Sequence, residues 1–186
     1  CCDKAELLGV LRMSGAIVIR GMNIGIHFST ENAALARRVL QILKNNYQVQ
    51  TEVVITRSRR LKKNNRYQVR VLPAPQVNIA MTELQLLSIE SDLKNPLLTK
   101  QCCKRAFLRG AFLGGGSISR PSSDYHLEMV TGNEDFARSI IKVMHTFSMK
   151  AKLTDRSSLG YSAVRNRLYE IIKRRRAIWK LFLLRT

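Results

Sequence analysis

Acidic residues are scarce. The chain has 186 residues, of which 13 are Asp or Glu and 32 are Lys or Arg, so its formal net charge is +19 at pH 7. That excess is larger than solubility requires. It excludes the near-neutral surface of an ordinary metabolic enzyme and makes a polyanion the expected partner. An rRNA-associated protein and a membrane-surface protein are the plainer alternatives. Long apolar runs are also missing. No stretch of 18 apolar residues occurs, so no membrane-spanning helix is expected. Aromatics make up 6%, with Tyr47, Tyr67, Tyr125, Tyr161 and Tyr169 scattered, which argues against a stacking platform for single strands. His27, His126 and His145 are dispersed without metal-ligand spacing. The triple glycine at 114–116 lacks both phosphate-loop forms and has no apolar strand before it. No cofactor and no catalytic residue is expected.

Four cysteines form two vicinal pairs, Cys1-Cys2 and Cys102-Cys103. Neighbouring cysteines rarely bridge, and no CxxC knuckle is present. Structural thiols in an intracellular protein are the expectation, with a four-cysteine metal site as the alternative. The chain opens on cysteine with no signal-like segment, so a longer parent chain is expected.

What is present is a repeat. "CCDKAELLGVLRMSGAI" at 1–17 lies over "CCKRAFLRGAFLGGGSI" at 102–118 with an offset of 101. Cys1, Cys2, Ala5, Leu7, Gly9, Gly15 and Ile17 meet identical residues. In the same register Thr30, Asn32, Ala36 and Arg37 meet Thr131, Asn133, Ala137 and Arg138. Two matching blocks in one register argue for a duplicated unit. The expected division is a first half over 1–75, a connecting helix and linker over 76–101, and a second half with a C-terminal helix over 102–186.

Each half reads helix, hairpin, helix, hairpin. Asp3 and Glu6 suggest a capping box at the start of a helix over 3–14, and Gly15 stops it. Residues 16–28 suggest two strands around Gly21. Ser29 or Thr30 is expected to cap a helix striped with Leu35, Val39, Ile42 and Leu43. "QTEVVITR" and "RYQVRVL" suggest a second hairpin. Pro73 and Pro75 are expected to end the unit, with Thr82 capping a helix over 82–93. In the second half, helices are expected over 103–114 and 133–147, with strands near 117–120, 125–131 and 150. The stretch 155–168 reads as short for a full hairpin, and 174–186 reads as a basic, then apolar helix. The fold class is α+β: two antiparallel sheets with helices on one side, related by a pseudo-twofold axis. Small residues four apart (Ala5 and Gly9; Ala106, Gly110 and Gly114) predict that the two first helices pack closely.

The phrases "LLGVLRMSGAI" and "LRGAFLGGGSI" resemble the paired helices of LAGLIDADG homing endonucleases. "STENAALARRV", "RLKKNNRYQVRV", "CCKRAFLRGAFLGGGSIS" and "YHLEMVT" resemble, more closely still, the N-terminal domain of the WhiA family. These are bacterial transcription regulators of sporulation and cell division that also carry a helix-turn-helix domain. The resemblance runs from Cys1 to about residue 155. Active homing endonucleases place a metal-binding acid just before the last motif glycine of each helix. Here those positions are Ser14 and Gly115, and the other motif acid falls on Arg12 and Leu113. The resemblance therefore implies an endonuclease-like fold without nuclease activity, since phosphodiester hydrolysis by two metals needs carboxylates to hold them.

The basic residues point to double-stranded DNA. Arg57, Arg59, Arg60, Lys62, Lys63, Arg66 and Arg70 place seven cations in 14 residues without an acid. Lys152, Arg156, Arg165 and Arg167 occupy the matching region, beside Lys150. Such residues suit phosphate contacts. Gln50, Arg57, Gln68 and Arg70 are candidate readers of base edges. Arg20 and Arg120 are candidate backbone contacts, and "KRRRAIWK" at 173–180 is either a further contact or a solvated helix face. RNA duplex fits less well, because its deep, narrow major groove does not admit a sheet. The expectation is a monomeric pseudo-dimer, cytoplasmic and nucleoid-associated. The alternative is an interaction module that docks on a sigma factor, RNA polymerase or another regulator.

Overall fold

The first two elements of each half set the pattern for the whole molecule. The computed structural model describes residues 1–57, 65–86, 95–119, 125–155 and 166–172; at 125, 154–155 and 166–172 the description is of the backbone. Helix α1 (Cys2–Ser14) leads into β1 (Gly15–Arg20) and β2 (Asn23–Thr30), then α2 (Ala33–Tyr47), β3 (Thr51–Arg57) and β4 (Asn65–Val71). After α3 (Pro75–Glu83) and a 3-10 turn (Pro96–Leu98), the order returns as α4 (Gln101–Gly115), β5 (Gly116–Ser119), β6 (Tyr125–Thr131), α5 (Glu134–His145), β7 (Lys152–Asp155) and β8 (Asn166–Ile172).

Each half builds a four-stranded antiparallel sheet, in the order β1-β2-β4-β3 and β5-β6-β8-β7. Ile26 and Phe28 of β2 and Val69 and Val71 of β4 are buried on one face, where α1, α2 and α3 pack. Leu35, Val39, Ile42 and Leu43 form the buried stripe of α2, and Phe136, Ile140, Val143 and Met144 that of α5. Phe136 meets Phe107 of α4 edge to face, with ring centroids 5.9 Å apart. Burying each such ring contributes about 2–3 kcal/mol.

The two halves are held by α1 against α4. The helices run parallel, with Gly9 against Phe107 and Ala111, Gly110 against Glu6 and Val10, and Gly114 against Met13 and Ser14. A Cβ added at Gly110 would overlap the Glu6 carbonyl oxygen, and one at Gly9 would lie 2.7 Å from the Ala111 amide nitrogen. The small-residue spacing thus marks a backbone-to-backbone contact.

The repeat extends to the details. Asn32 and Asn133 cap α2 and α5: Asn32 Oδ1 accepts from the amides of Ala34 and Leu35, and Asn133 Oδ1 from that of Phe136. Thr30 and Thr131 each accept a bond from the following asparagine's amide. The caps are therefore the asparagines, not Ser29 or Thr30, which lie at the end of the preceding strand. The offset shortens only after α5. Val53 lies opposite Val69, and Leu153 opposite Leu168. The second hairpin of the second half therefore forms, but β7 pairs at four positions where β3 pairs at seven, and 156–165 lie outside the described residues.

Other expectations are corrected. Asp3 and Glu6 form no capping box, because both side chains turn to Arg38, and α1 has no side-chain cap. Gly15 does end α1, but with φ of −82°; a Cβ there would lie 2.6 Å from the Leu11 carbonyl oxygen. The connecting helix starts at Pro75, not Thr82, with the proline in its first turn, where no amide is needed. Thr82 instead bonds back to the Asn78 carbonyl within that helix. Asn78 of α3 accepts from the Ile24 amide at 3.0 Å and ties the connector to the first hairpin. The end of the expected 82–93 helix, Arg120 and the expected 174–186 helix lie outside the described residues.

Candidate nucleic-acid interface

Register sorts the basic residues by face. Antiparallel partners share a face, and side chains alternate along each strand. In the first sheet, Ile26, Phe28, Val69, Val71, Val53 and Ile55 share the helix-covered face. The other face carries Arg66, Gln68 and Arg70 of β4 at alternate positions. Beside them, Arg70 lies opposite His27 of β2 and Glu52 of β3, and Gln68 opposite Ser29 and Val54. His27, Ser29, Glu52 and Arg66 are exposed, and Gln68 and Arg70 are half-buried. The Arg70 guanidinium donates to Gln68 Oε1 at 2.9 Å, which holds the two side chains together. At the edge strand, exposed Arg20 takes the same parity, opposite Asn23.

Arg57 does not join this row. It pairs with Asn65 at the far end of β3 and has the parity of Val53 and Ile55, the helix-side face. Gln50 precedes β3, and its carbonyl accepts from the Leu72 amide. In the second sheet Lys152 is exposed and lies opposite Tyr169, while Arg167 lies opposite Val130 and Thr154. Those positions share the parity of His126 and Glu128. Arg59, Arg60, Lys62, Lys63, Arg156 and Arg165 lie outside the described residues. His27 was not singled out as a contact from the sequence, although its alternation with Ile26 and Phe28 already set its face.

Ser14 and Gly115 are the last residues of α1 and α4. The helix ends meet there: a Cβ at Gly114 would be 3.1 Å from Ser14 Oγ. Ser14 Oγ donates to the Val10 carbonyl at 3.2 Å, and Gly115 offers no side chain. Among the described residues, no group of three or more His, Asp or Glu side chains converges closely enough to share an ion at this point. Arg12, two residues before Ser14, lies 5.9 Å from the Phe136 ring.

Behind the helix pair sits a charge cluster that the sequence did not announce. Glu6 is only 3% exposed. Its carboxylate accepts from Arg109 of α4 at 2.5 Å and from Arg38 of α2 at 3.3 Å. Asp3 accepts from Arg38 at 2.5 Å. The hydrogen bond to Glu6, ahead of every other influence, holds the Arg38 guanidinium above its ordinary pKa. The cluster has no counterpart in the other half, where Phe107 and Leu8 stand at the equivalent positions of Glu6 and Arg109.

Comparison with known proteins identifies the family. A family model described as the WhiA N-terminal LAGLIDADG-like domain matches residues 1–87, and one described as the WhiA LAGLIDADG-like domain matches 104–182. The chain belongs to the WhiA family. The probable cell division protein WhiA of Desulforamulus reducens is 37% identical over 164 residues, covering 85% of this chain and 51% of that protein. The chain thus spans about half the length of the curated relatives it matches. Among solved structures, full-length DUF199/WhiA from Thermatoga maritima has a TM-score of 0.64 at 23% identity, covering 95% of this chain and 52% of that one. The structure titled I-DmoI in complex with DNA and Mn has a TM-score of 0.65 at 13% identity, covering 100% and 97%. The fold is that of WhiA and of the LAGLIDADG homing endonucleases. No helix among the described residues is long and apolar enough to cross a membrane.

Proposed function

We propose that this WhiA-family domain binds double-stranded DNA on the faces of its two sheets that lie opposite the core and does not cleave it. The two sheets correspond to halves at 1–75 and 102–186, joined by 76–101. The observation that carries the reading is the row Arg66, Gln68 and Arg70, exposed or half-buried at alternate positions on the face opposite the core. The net charge of +19 supplies long-range attraction to the same polyanion. A solved neighbour of the same fold, I-DmoI, is in complex with DNA and Mn. In this reading Arg66, Arg70, Arg20 and Lys152 contact phosphates, Gln68 and Arg70 read base edges, and Arg167 serves the second sheet. Arg57, Arg59, Arg60, Lys62, Lys63, Arg156 and Arg165 extend the contact from the hairpin ends. The domain works within a regulator of transcription in cell division, at the nucleoid.

Inactivity follows from the helix ends. Serine at 14 and glycine at 115 cannot hold a pair of hard divalent cations, which take carboxylate oxygens. The test is fluorescence anisotropy of the chain with a duplex across a salt series containing Mg²⁺. Expected are an affinity falling steeply with salt, by roughly 0.9 in log–log slope per phosphate neutralised, and recovery of intact duplex. Absence of binding near physiological salt overturns the reading.

A second reading, docking on a sigma factor, RNA polymerase or another regulator, is favoured by one observation. A cleft of about 270 Å³ between α2 and strands β3 and β4 is lined by Ala33, Ala36, Arg37, Leu40, Val53, Ile55 and Tyr67. Val53 and Ile55 are exposed there, which suits an apolar protein segment better than DNA.

A further inference from the structure

The parallel packing of α1 and α4 does more than join two sheets. It also superposes their N-terminal ends, and each of those ends carries a vicinal cysteine pair. The sulfurs of Cys1, Cys2, Cys102 and Cys103 all lie within 4.8 Å of one another. Cys2 Sγ and Cys103 Sγ are 4.0 Å apart. We propose that these four cysteines form a mononuclear tetrathiolate zinc site that clasps the two halves of the domain.

The geometry favours one metal ion over the alternatives. Zinc with four thiolates is tetrahedral with Zn–S near 2.3 Å, which sets sulfur–sulfur edges of roughly 3.8 Å. The four sulfurs reach that arrangement by contracting about 1 Å or less, within the range of side-chain rotation. A disulfide needs about 2.05 Å and joins only two of the four. An iron–sulfur cluster spreads four cysteines over two or four irons and holds them farther apart than a single ion does. The donor set is all sulfur, which selects zinc over Mg²⁺ or Ca²⁺.

The surroundings suit an anionic complex. Four thiolates around Zn²⁺ carry a net charge of about −2. The N-termini of both long helices direct their partial positive charge at this point. Cys103 is buried and Cys2 half-buried, while Cys1 and Cys102 are exposed, so the site has a fixed base and an open side through which a metal enters. Ser14 lies at the other end of α1, about 18 Å away by helical rise. The zinc site is therefore structural and separate from the vacated endonuclease positions. No CxxC knuckle is needed, because the two ligand pairs are brought together by duplication rather than by a local turn.

The test uses the full chain, purified under reducing, oxygen-free conditions, stripped with a chelator and titrated with Zn²⁺, or with Co²⁺ as a spectroscopic probe. Expected are one zinc per chain, thiolate-to-cobalt charge transfer with the visible bands of tetrahedral cobalt, and four thiols shielded from a thiol reagent until the metal is removed. Cys102→Ser and Cys1→Ser, at exposed positions, should keep the far-ultraviolet circular dichroism of the parent and lose the tetrathiolate spectrum, with at least a tenfold weaker affinity. Cys2→Ser with Cys103→Ser should abolish binding. Substoichiometric zinc, cobalt spectra without thiolate charge transfer, or unaltered metal content in the Cys102→Ser and Cys1→Ser variants would overturn the proposal. So would a Cys2–Cys103 disulfide as the stable state in a reducing glutathione buffer. None of these readouts depends on DNA binding.

Discussion

Gly9 and Gly110 occupy equivalent positions in two parallel helices, and each lies against the other helix's backbone. The Gly9 side of the contact is Phe107 and Ala111; the Gly110 side is Glu6 and Val10. Two effects oppose each other when Gly110 becomes alanine. Helix propensity gains about 1 kcal/mol. Overlap with the Glu6 carbonyl cannot be relieved by a rotamer, because the atom it meets is backbone, and overpacking of that kind costs about 3 kcal/mol. The net expectation for Gly110→Ala is therefore a loss of about 2 kcal/mol in urea unfolding. A gain in stability would show that the helices separate freely.

The Glu6 carboxylate is the common acceptor for Arg38 and Arg109, from two other helices. Glu6→Ala leaves both guanidinium groups without this partner. Breaking a buried ion pair from one side costs roughly 3–5 kcal/mol, and the value should fall near the lower end because both arginines keep solvent contact. Arg109→Ala should cost less, since Glu6 retains Arg38. Chemical denaturation of the two variants checks the order; equal losses would contradict the shared-acceptor geometry.

Asn32→Ala and Asn133→Ala each remove a helix cap. Each should cost about 1 kcal/mol and lower Tm by roughly 2–4 °C in a chain of this size. Ser29→Ala, at an exposed strand position, should change Tm little. Scanning calorimetry on the three variants distinguishes the asparagine caps from the serine that the sequence alone suggested.

Arg66→Ala and Arg70→Ala should each reduce the log–log salt slope of duplex binding by roughly 1. They should leave urea unfolding within about 0.5 kcal/mol of the parent, as surface changes do. Arg57→Ala, on the other face of its strand, should alter the slope less. Supercoiled plasmid incubated with the parent chain and Mg²⁺ should remain uncut; nicking that depends on Mg²⁺ would overturn the inactive reading.

Much of this architecture could be read along the chain. The constant offset placed Gly9 over Gly110 and Asn32 over Asn133, and periodicity separated Ile26 and Phe28 from His27. These features are local or repeated, so composition and spacing carry them. The family's acid positions could likewise be checked one at a time, at Ser14 and Gly115. The sequence does not fix where α3 starts, because Pro75 can end one element or begin another, and only the packing of Asn78 against Ile24 decides which.

The sequence by itself determined the duplication, the charge, the alternation that buries Ile26 and Phe28, and the absence of acids at the two helix ends, but it did not separate Arg57 from the outward row of Gln68 and Arg70. Beyond the close packing of the two first helices, tertiary structure decided which distant groups meet. Glu6 resembled a capping residue until Arg38 and Arg109 arrived from two other helices. Cys2 and Cys103, 101 residues apart, became neighbours only when two parallel helices packed through Gly9 and Gly110. Local spacing specifies periodicity and caps. It does not specify distances across a helix–helix contact, which depend on how closely two backbones approach.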